Sequence, residues 1–201
     1  SLGENSSLNA SLFRYDYTDF QVLQVVGLQT VTRNAGDATV NGLEIEAFSN
    51  VSDSLTLNYG ITLLDATYGE FLNTNGIEPQ LGEQQLEGNY LTNAPKVSIN
   101  LGLNYTSAMA SGASLTYRAN AAYKSRIYFS EFNEYSQDAY TIVDLNLIWE
   151  SADETMRSRF FIKNATDEEY IAGYLSAATG GGRFGQWGYP RTAGIEVQRN
   201  F

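Results

Sequence analysis

Apolar and polar residues alternate over segments of nearly ten residues, and this pattern constrains the chain more than any other feature. From Ser54 the odd positions are Leu55, Leu57, Tyr59, Ile61 and Leu63, against Ser54, Thr56, Asn58, Gly60 and Thr62. The pattern repeats from Val97 to Tyr105, from Ala113 to Lys124 and from Thr141 to Glu150, where Ile148 is the exception. It also sets Leu43, Ile45 and Ala47 against Glu44 and Glu46. Successive strand side chains point to opposite faces, so each segment reads as a strand with one apolar and one polar face. Weaker strands are predicted over 8–17, 20–31, 157–164 and 192–201, about nine in all. In the first, Phe13, Tyr15 and Tyr17 share one face and Arg14 and Asp16 the other, whereas the phase of 20–31 is ambiguous. Val97 to Tyr117 is uncharged and long enough to cross a bilayer as a helix. Its alternation and Gly112 make it two strands and a turn instead.

The predicted connections alternate in length. Short ones fall near 18–19, 50–53, 106–112 and 151–156; the others run near 32–38, 69–93, 126–138 and 165–191. This describes an antiparallel up-and-down meander with short turns at one end and long loops at the other. Transmembrane β-barrels combine strands of about 9–11 residues, an apolar outer face, a polar lumen and loops sorted in this way. A soluble lectin-like sandwich also alternates, but its strands are shorter and its loops are not sorted by end. Tyr17, Tyr105, Trp149 and Phe201 are read beside the short turns on the lipid face, as a periplasmic aromatic girdle.

Composition removes several classes of function. The chain has 201 residues, no His and no Cys, with 12 basic against 23 acidic residues and a net charge of −11. Histidine-dependent triads and zinc sites, thiolate chemistry and disulfides are therefore out of reach. The acidic balance argues against nucleic acid, which needs a basic stripe. No metal, cofactor or catalytic constellation is predicted. Asp167, Glu168 and Glu169 read as a solvated strand end, and Gly180–Gly182 as a loop tip without the Lys or Ser/Thr of a phosphate loop. Ser1 is not followed by a signal sequence, so the chain reads as mature or as a piece of something longer.

Four stretches resemble the C-terminal part of a TonB-dependent outer-membrane receptor. Asn41-Gly42-Leu43-Glu44-Ile45-Glu46 is similar to the family's strand opening, and Asn93-Ala94-Pro95-Lys96 to its N-x-P-[KR] strand entry. Asn164-Ala165-Thr166-Asp167-Glu168-Glu169-Tyr170 resembles N-L-x-D-x-x-Y, with Ala in place of Leu. Pro190-Arg191-Thr192-Ala193-Gly194 through Phe201 resembles the P-R-x-x-G final strand, with Arg199 where an apolar residue is commoner. The resemblance implies a 22-stranded barrel around an N-terminal plug, with nine strands here as its last nine. It implies TonB-dependent uptake of a ferric siderophore, haem, cobalamin or glycan, with the C-terminus on the periplasmic side of the outer membrane. The implied partners are membrane lipid and lipopolysaccharide, the plug and remaining barrel, TonB through an N-terminal part that this chain lacks, and the transported ligand.

Candidate ligand-binding residues lie on two loops: Arg126, Tyr128, Phe132 and Tyr135 on one, and Tyr174, Arg183, Phe184, Trp187 and Tyr189 on the other. Aromatic and Arg side chains suit aryl groups, sugars and carboxylates alike. Glu44, Glu46, Arg118, Lys124 and Asp144 are the expected lumen-lining residues. The main alternative is a self-contained small outer-membrane barrel acting as a passive pore or structural protein, which would pair residues 8–17 with 192–201. An outer-membrane enzyme is a further alternative, disfavoured by the absence of His.

Overall fold

The computed structural model describes residues 6–26, 29–34, 36–177 and 182–200. Eight long strands form one antiparallel sheet in chain order. They are β1 (Ser6–Tyr17), β2 (Ala38–Ser52), β3 (Leu55–Tyr68), β4 (Val97–Ala108), β5 (Ser114–Lys124), β6 (Tyr140–Glu150), β7 (Met156–Lys163) and β8 (Thr192–Arg199). The all-β antiparallel meander is as expected. Among the described residues β1 pairs only with β2 and β8 only with β7, so the sheet is open. The pairing between the first and last strands that a small closed barrel requires is not made. No helix among the described residues is long and apolar enough to cross a membrane.

The expected strand over 20–31 is not part of this sheet. Gln21–Val26 pairs with Gln29–Asn34 as a separate hairpin, so among the described residues the wall has eight strands and not nine. The predicted short turn at 18–19 is the start of a long connection over 18–37. The remaining long connections, 69–96, 125–139 and 164–191, also carry small hairpins of their own. All four lie at one end of the sheet, and the short turns at 53–54, 109–113 and 151–155 lie at the other.

Register fixes the faces. One continuous row runs Glu44–Thr62–Ser98–Lys124, and another Asn58–Gly102–Asn120–Asp144. Glu46 and Arg118 lie on this same polar face, opposite Gly60 and Asn104. All five expected lumen-lining residues therefore share one side. The other side carries rows such as Leu12–Leu43–Leu63–Val97 and Leu55–Tyr105–Tyr117–Leu147. Leu55 to Leu63 spans about 27 Å of strand at about 3.4 Å per residue. At a tilt near 40° this is about 21 Å of height, close to the apolar band of about 25 Å on outer-membrane barrels.

The first strand lies in the phase opposite to the one its aromatics imply. Leu8, Ala10 and Leu12 join the apolar face through Ala47, Ile45 and Leu43. Phe13, Tyr15 and Tyr17 sit on the polar face, opposite Gly42, Val40 and Ala38. Aromatic side chains favour strands on either face, so they do not report phase by themselves. Arg14 and Asp16 pair at 2.7 Å at the loop end of the apolar face, beyond the Leu12 row. Tyr17 is consequently no girdle residue: it stands at the loop end and on the polar side. Tyr105 and Trp149 do lie by the short turns on the apolar face, opposite Leu55 and Leu115. Phe201 lies outside the described residues.

The large side chains of the sheet's apolar face form no core of their own. Leu101, Leu145 and Phe160 of the apolar face are all exposed. The buried cluster is Tyr68, Phe71 and Leu86 at the loop end, packed by Phe20, Val22, Leu91 and Phe132.

Candidate functional site

The second and third long connections are welded through buried amides. Asn73 and Asn75, 2% and 4% exposed, donate to the carboxylates of Glu131 (3.0 Å) and Glu134 (2.9 Å). Asn89 donates to the Glu131 carbonyl at 2.9 Å, and Asn133 bonds both the N–H and the carbonyl of Tyr90. The Tyr90 ring stacks on Tyr128 at 5.8 Å. A buried amide without partners costs about 1–3 kcal/mol, so these pairs fix how the two connections lie against one another. Burial pushes the Glu131 carboxyl above the usual carboxylate range, and neighbouring Glu134 adds to it.

The fourth connection is closed at its base by residues of two sequence motifs. Asn164, buried at 4% exposure, has φ +48°, which Asn tolerates better than most residues. Its amide donates to the carbonyls of Glu168 (2.9 Å) and Tyr189 (3.1 Å), and its Oδ1 accepts from the Glu168 N–H (2.8 Å). Asp144 accepts the Asn164 N–H at 2.9 Å. Asp167 accepts the Arg191 N–H at 2.9 Å and approaches its guanidinium at 3.5 Å. The segment before the loop and the Pro190-Arg191 segment after it are thus the two jaws of one clamp. Asp144, expected to line a lumen, and the Asp167–Glu168 pair serve this closure.

Above the clamp three connections meet in an aromatic cluster. Tyr174 stacks on Phe129 at 5.7 Å and on Tyr135 at 5.2 Å. The Arg183 guanidinium lies 4.4 Å over the Tyr135 ring and donates to Glu78 at 3.3 Å. Burial, then Tyr135, raises the Tyr174 phenol above its ordinary pKa. Tyr170 stacks at 4.6 Å on Tyr140, which lies on the polar-face side through its pairing with Lys124. A second aromatic run, Phe13–Tyr15–Tyr17–Phe20–Tyr68–Phe71, climbs the polar face of β1 into the loop core with centroids 5.1–6.2 Å apart.

Of the predicted loop residues, Tyr135, Tyr174 and Arg183 come together. Tyr128 and Phe132 are used inside the loop packing. Arg126 pairs with Asp138 at 2.7 Å. Phe184, Trp187 and Tyr189 stand apart and point outward, at 60%, 66% and 87% exposure. Trp187 and Tyr170 line a 430 Å³ cleft beside Asp167 and Glu169. Sequence reasoning passed over the loop asparagines Asn73, Asn75, Asn89 and Asn133, and it gave Phe13, Tyr15 and Tyr17 of β1 no part in the site. The density of Asn in 73–93 is the sequence signal that could have found the weld.

The family model described as TonB dependent receptor-like, beta-barrel matches residues 2–165. The chain belongs to the TonB-dependent receptor family. These are outer-membrane transport receptors and not enzymes. The ferrioxamine B receptor of Salmonella typhimurium is 22% identical over 173 residues, which cover 85% of this chain and 23% of that protein. The ferric yersiniabactin uptake receptor FyuA of Yersinia pestis superposes with a TM-score of 0.80 at 21% identity, over 98% of this chain and 28% of that one. The siderophore receptor PiuA of Acinetobacter baumannii gives 0.74 at 20% identity, over 98% and 26%. This TonB-dependent receptor chain therefore spans about a quarter of the relatives it matches.

Proposed function

We propose that this chain is the C-terminal wall of a 22-stranded outer-membrane barrel that takes up a scarce ligand with energy delivered through TonB. The candidates are a ferric siderophore first, as named for the relatives, then haem, cobalamin or a glycan. An N-terminal plug and TonB-contacting segment complete the receptor. Eight strands ending on a downward strand put β1 upward, the long connections outside the cell and the C-terminus in the periplasm. The polar face lines the lumen against the plug through Glu44, Glu46, Arg118, Lys124 and Asp144. The apolar face meets lipid, with Tyr105 and Trp149 in the periplasmic girdle, and its outer rim meets lipopolysaccharide.

The observation that carries this reading is the convergence of three long connections on Tyr135, Tyr174 and Arg183 at one end of a two-faced wall. Stacked rings and a guanidinium form a contact surface for a ligand and hold no group poised for bond cleavage. The test is growth of an iron-limited outer-membrane host that lacks its own receptors, carrying the full-length protein with and without functional TonB. TonB-dependent rescue by an iron chelate is expected; rescue that persists without TonB would make the protein a passive pore.

A further inference from the structure

Every cationic side chain described on the four long connections is already engaged by the connections themselves. Arg126 donates to Asp138 from Nε and Nη2 at 2.9 and 2.7 Å. Arg183 is held between Glu78 and the Tyr135 ring. Arg191 meets Asp167 at 3.5 Å, and Lys96 donates to the Tyr90 hydroxyl. These four connections carry twelve acidic and five basic residues. The aromatic faces beside them are the negative faces of ring quadrupoles, which attract cations and accept neutral groups.

A polyanionic ligand gains from a binding surface when arginine or lysine charge is available to it. Here the charge of Arg183, the cation of the aromatic cluster, is compensated in place by Glu78, and the carboxylates outnumber the cations around it. We propose that the ligand surface built by these four connections selects a neutral or cationic ligand and discriminates against a polyanionic one. The Glu78–Arg183 pair sets that preference. This inference rests on the receptor reading and specifies the charge class of what the receptor carries. Within ferric chelates it favours trihydroxamate-type complexes, neutral or bearing a free ammonium, over trianionic tris-catecholates.

The test uses the full-length receptor in detergent and follows quenching of tryptophan fluorescence. It is titrated with a ferric trihydroxamate and, separately, with a ferric tris-catecholate. The trihydroxamate is expected to bind at least about tenfold more tightly, since one uncompensated charge contact is worth about that much. Glu78→Gln releases Arg183 and is expected to move the ratio of the two affinities toward the trianion by about three- to tenfold. Asp138→Asn, which releases Arg126 farther from the cluster, should move it in the same direction by less. A wild-type preference for the tris-catecholate overturns the inference and leaves the receptor reading intact. A ratio that neither substitution moves also overturns it. Failure to bind either chelate removes the iron-chelate reading and the inference together.

Discussion

The wall and the loops of this protein are held by different physics. In the wall, large apolar side chains such as Leu101, Leu145 and Phe160 are exposed, and backbone ladders join one strand to the next. In the proposed setting lipid covers its apolar face and a polar interior the other, and a sheet in lipid satisfies every backbone group only when the barrel is closed. The loops are built like a small soluble protein. They bury Phe71 and Leu86 against Tyr68 at the end of β3, and they hold the buried amides of Asn73, Asn75 and Asn164. A substitution in the wall is therefore judged by which face it lies on, and one in the loops by which hydrogen bond or packing contact it removes.

The largest expected effect tests the wall. Leu101→Arg, on the apolar face, should cost about 2–4 kcal/mol at mid-membrane depth. Asn100→Arg, one residue away on the polar face, should cost far less. Urea titration of the full-length receptor folded into lipid vesicles measures both. Equal losses would break the two-face assignment.

Next comes the clamp. Asn164→Ala strands the Glu168 and Tyr189 carbonyls and should loosen the base of the fourth connection by about 2–3 kcal/mol. Limited proteolysis should then cut within 164–191 while the strands stay intact. Resistance equal to wild type would mean that the jaws are held by something else.

The weld should respond in the same local manner. Glu131→Ala leaves the buried Asn73 amide without its carboxylate, at a cost of about 1–3 kcal/mol. Hydrogen exchange should quicken in 72–74 and 83–85 and stay unchanged in β5 and β6.

The smallest effect is one of pH. Burial raises the folded-state pKa of Glu131 above its unfolded value, so the folded loop holds that proton more tightly than the unfolded one. The burial penalty is absent below the unfolded pKa and grows as pH rises through the folded one. Loop protection should fall slightly as pH rises through that window, and Glu131→Gln should flatten the trend.

The same contrast explains what could be read from the sequence. A strand face is written in the period of its own residues, so β2 to β6 and their short turns were legible. β1 is harder, because its aromatics Phe13, Tyr15 and Tyr17 and its aliphatic residues Leu8, Ala10 and Leu12 lie in opposite phases. Its register with Leu43 and Ala47, a contact across the connection 18–37, decides the phase. The hairpin at 21–34 was mistaken for a wall strand because a β-run has the same signature wherever it pairs. In the loops, Arg and aromatic residues marked the right segments. Which of them meet depends on contacts between distant connections, such as Arg183 with Glu78, and no local pattern encodes those. The 164–191 motifs were visible as a resemblance, and their purpose became clear only when Asn164 and Asp167 were seen bonding across the loop to Tyr189 and Arg191.

That closure makes the fourth connection a cassette. Asn164 grips main-chain carbonyls at Glu168 and Tyr189, and Asp167 holds the main chain of Arg191, so the base is fastened largely through the backbone, with Tyr170 on Tyr140 as its side-chain contact. A foreign binding loop grafted between Tyr170 and Gly188 would keep the backbone clamp and the Tyr170 stack on Tyr140, and so would leave the wall beneath it unchanged.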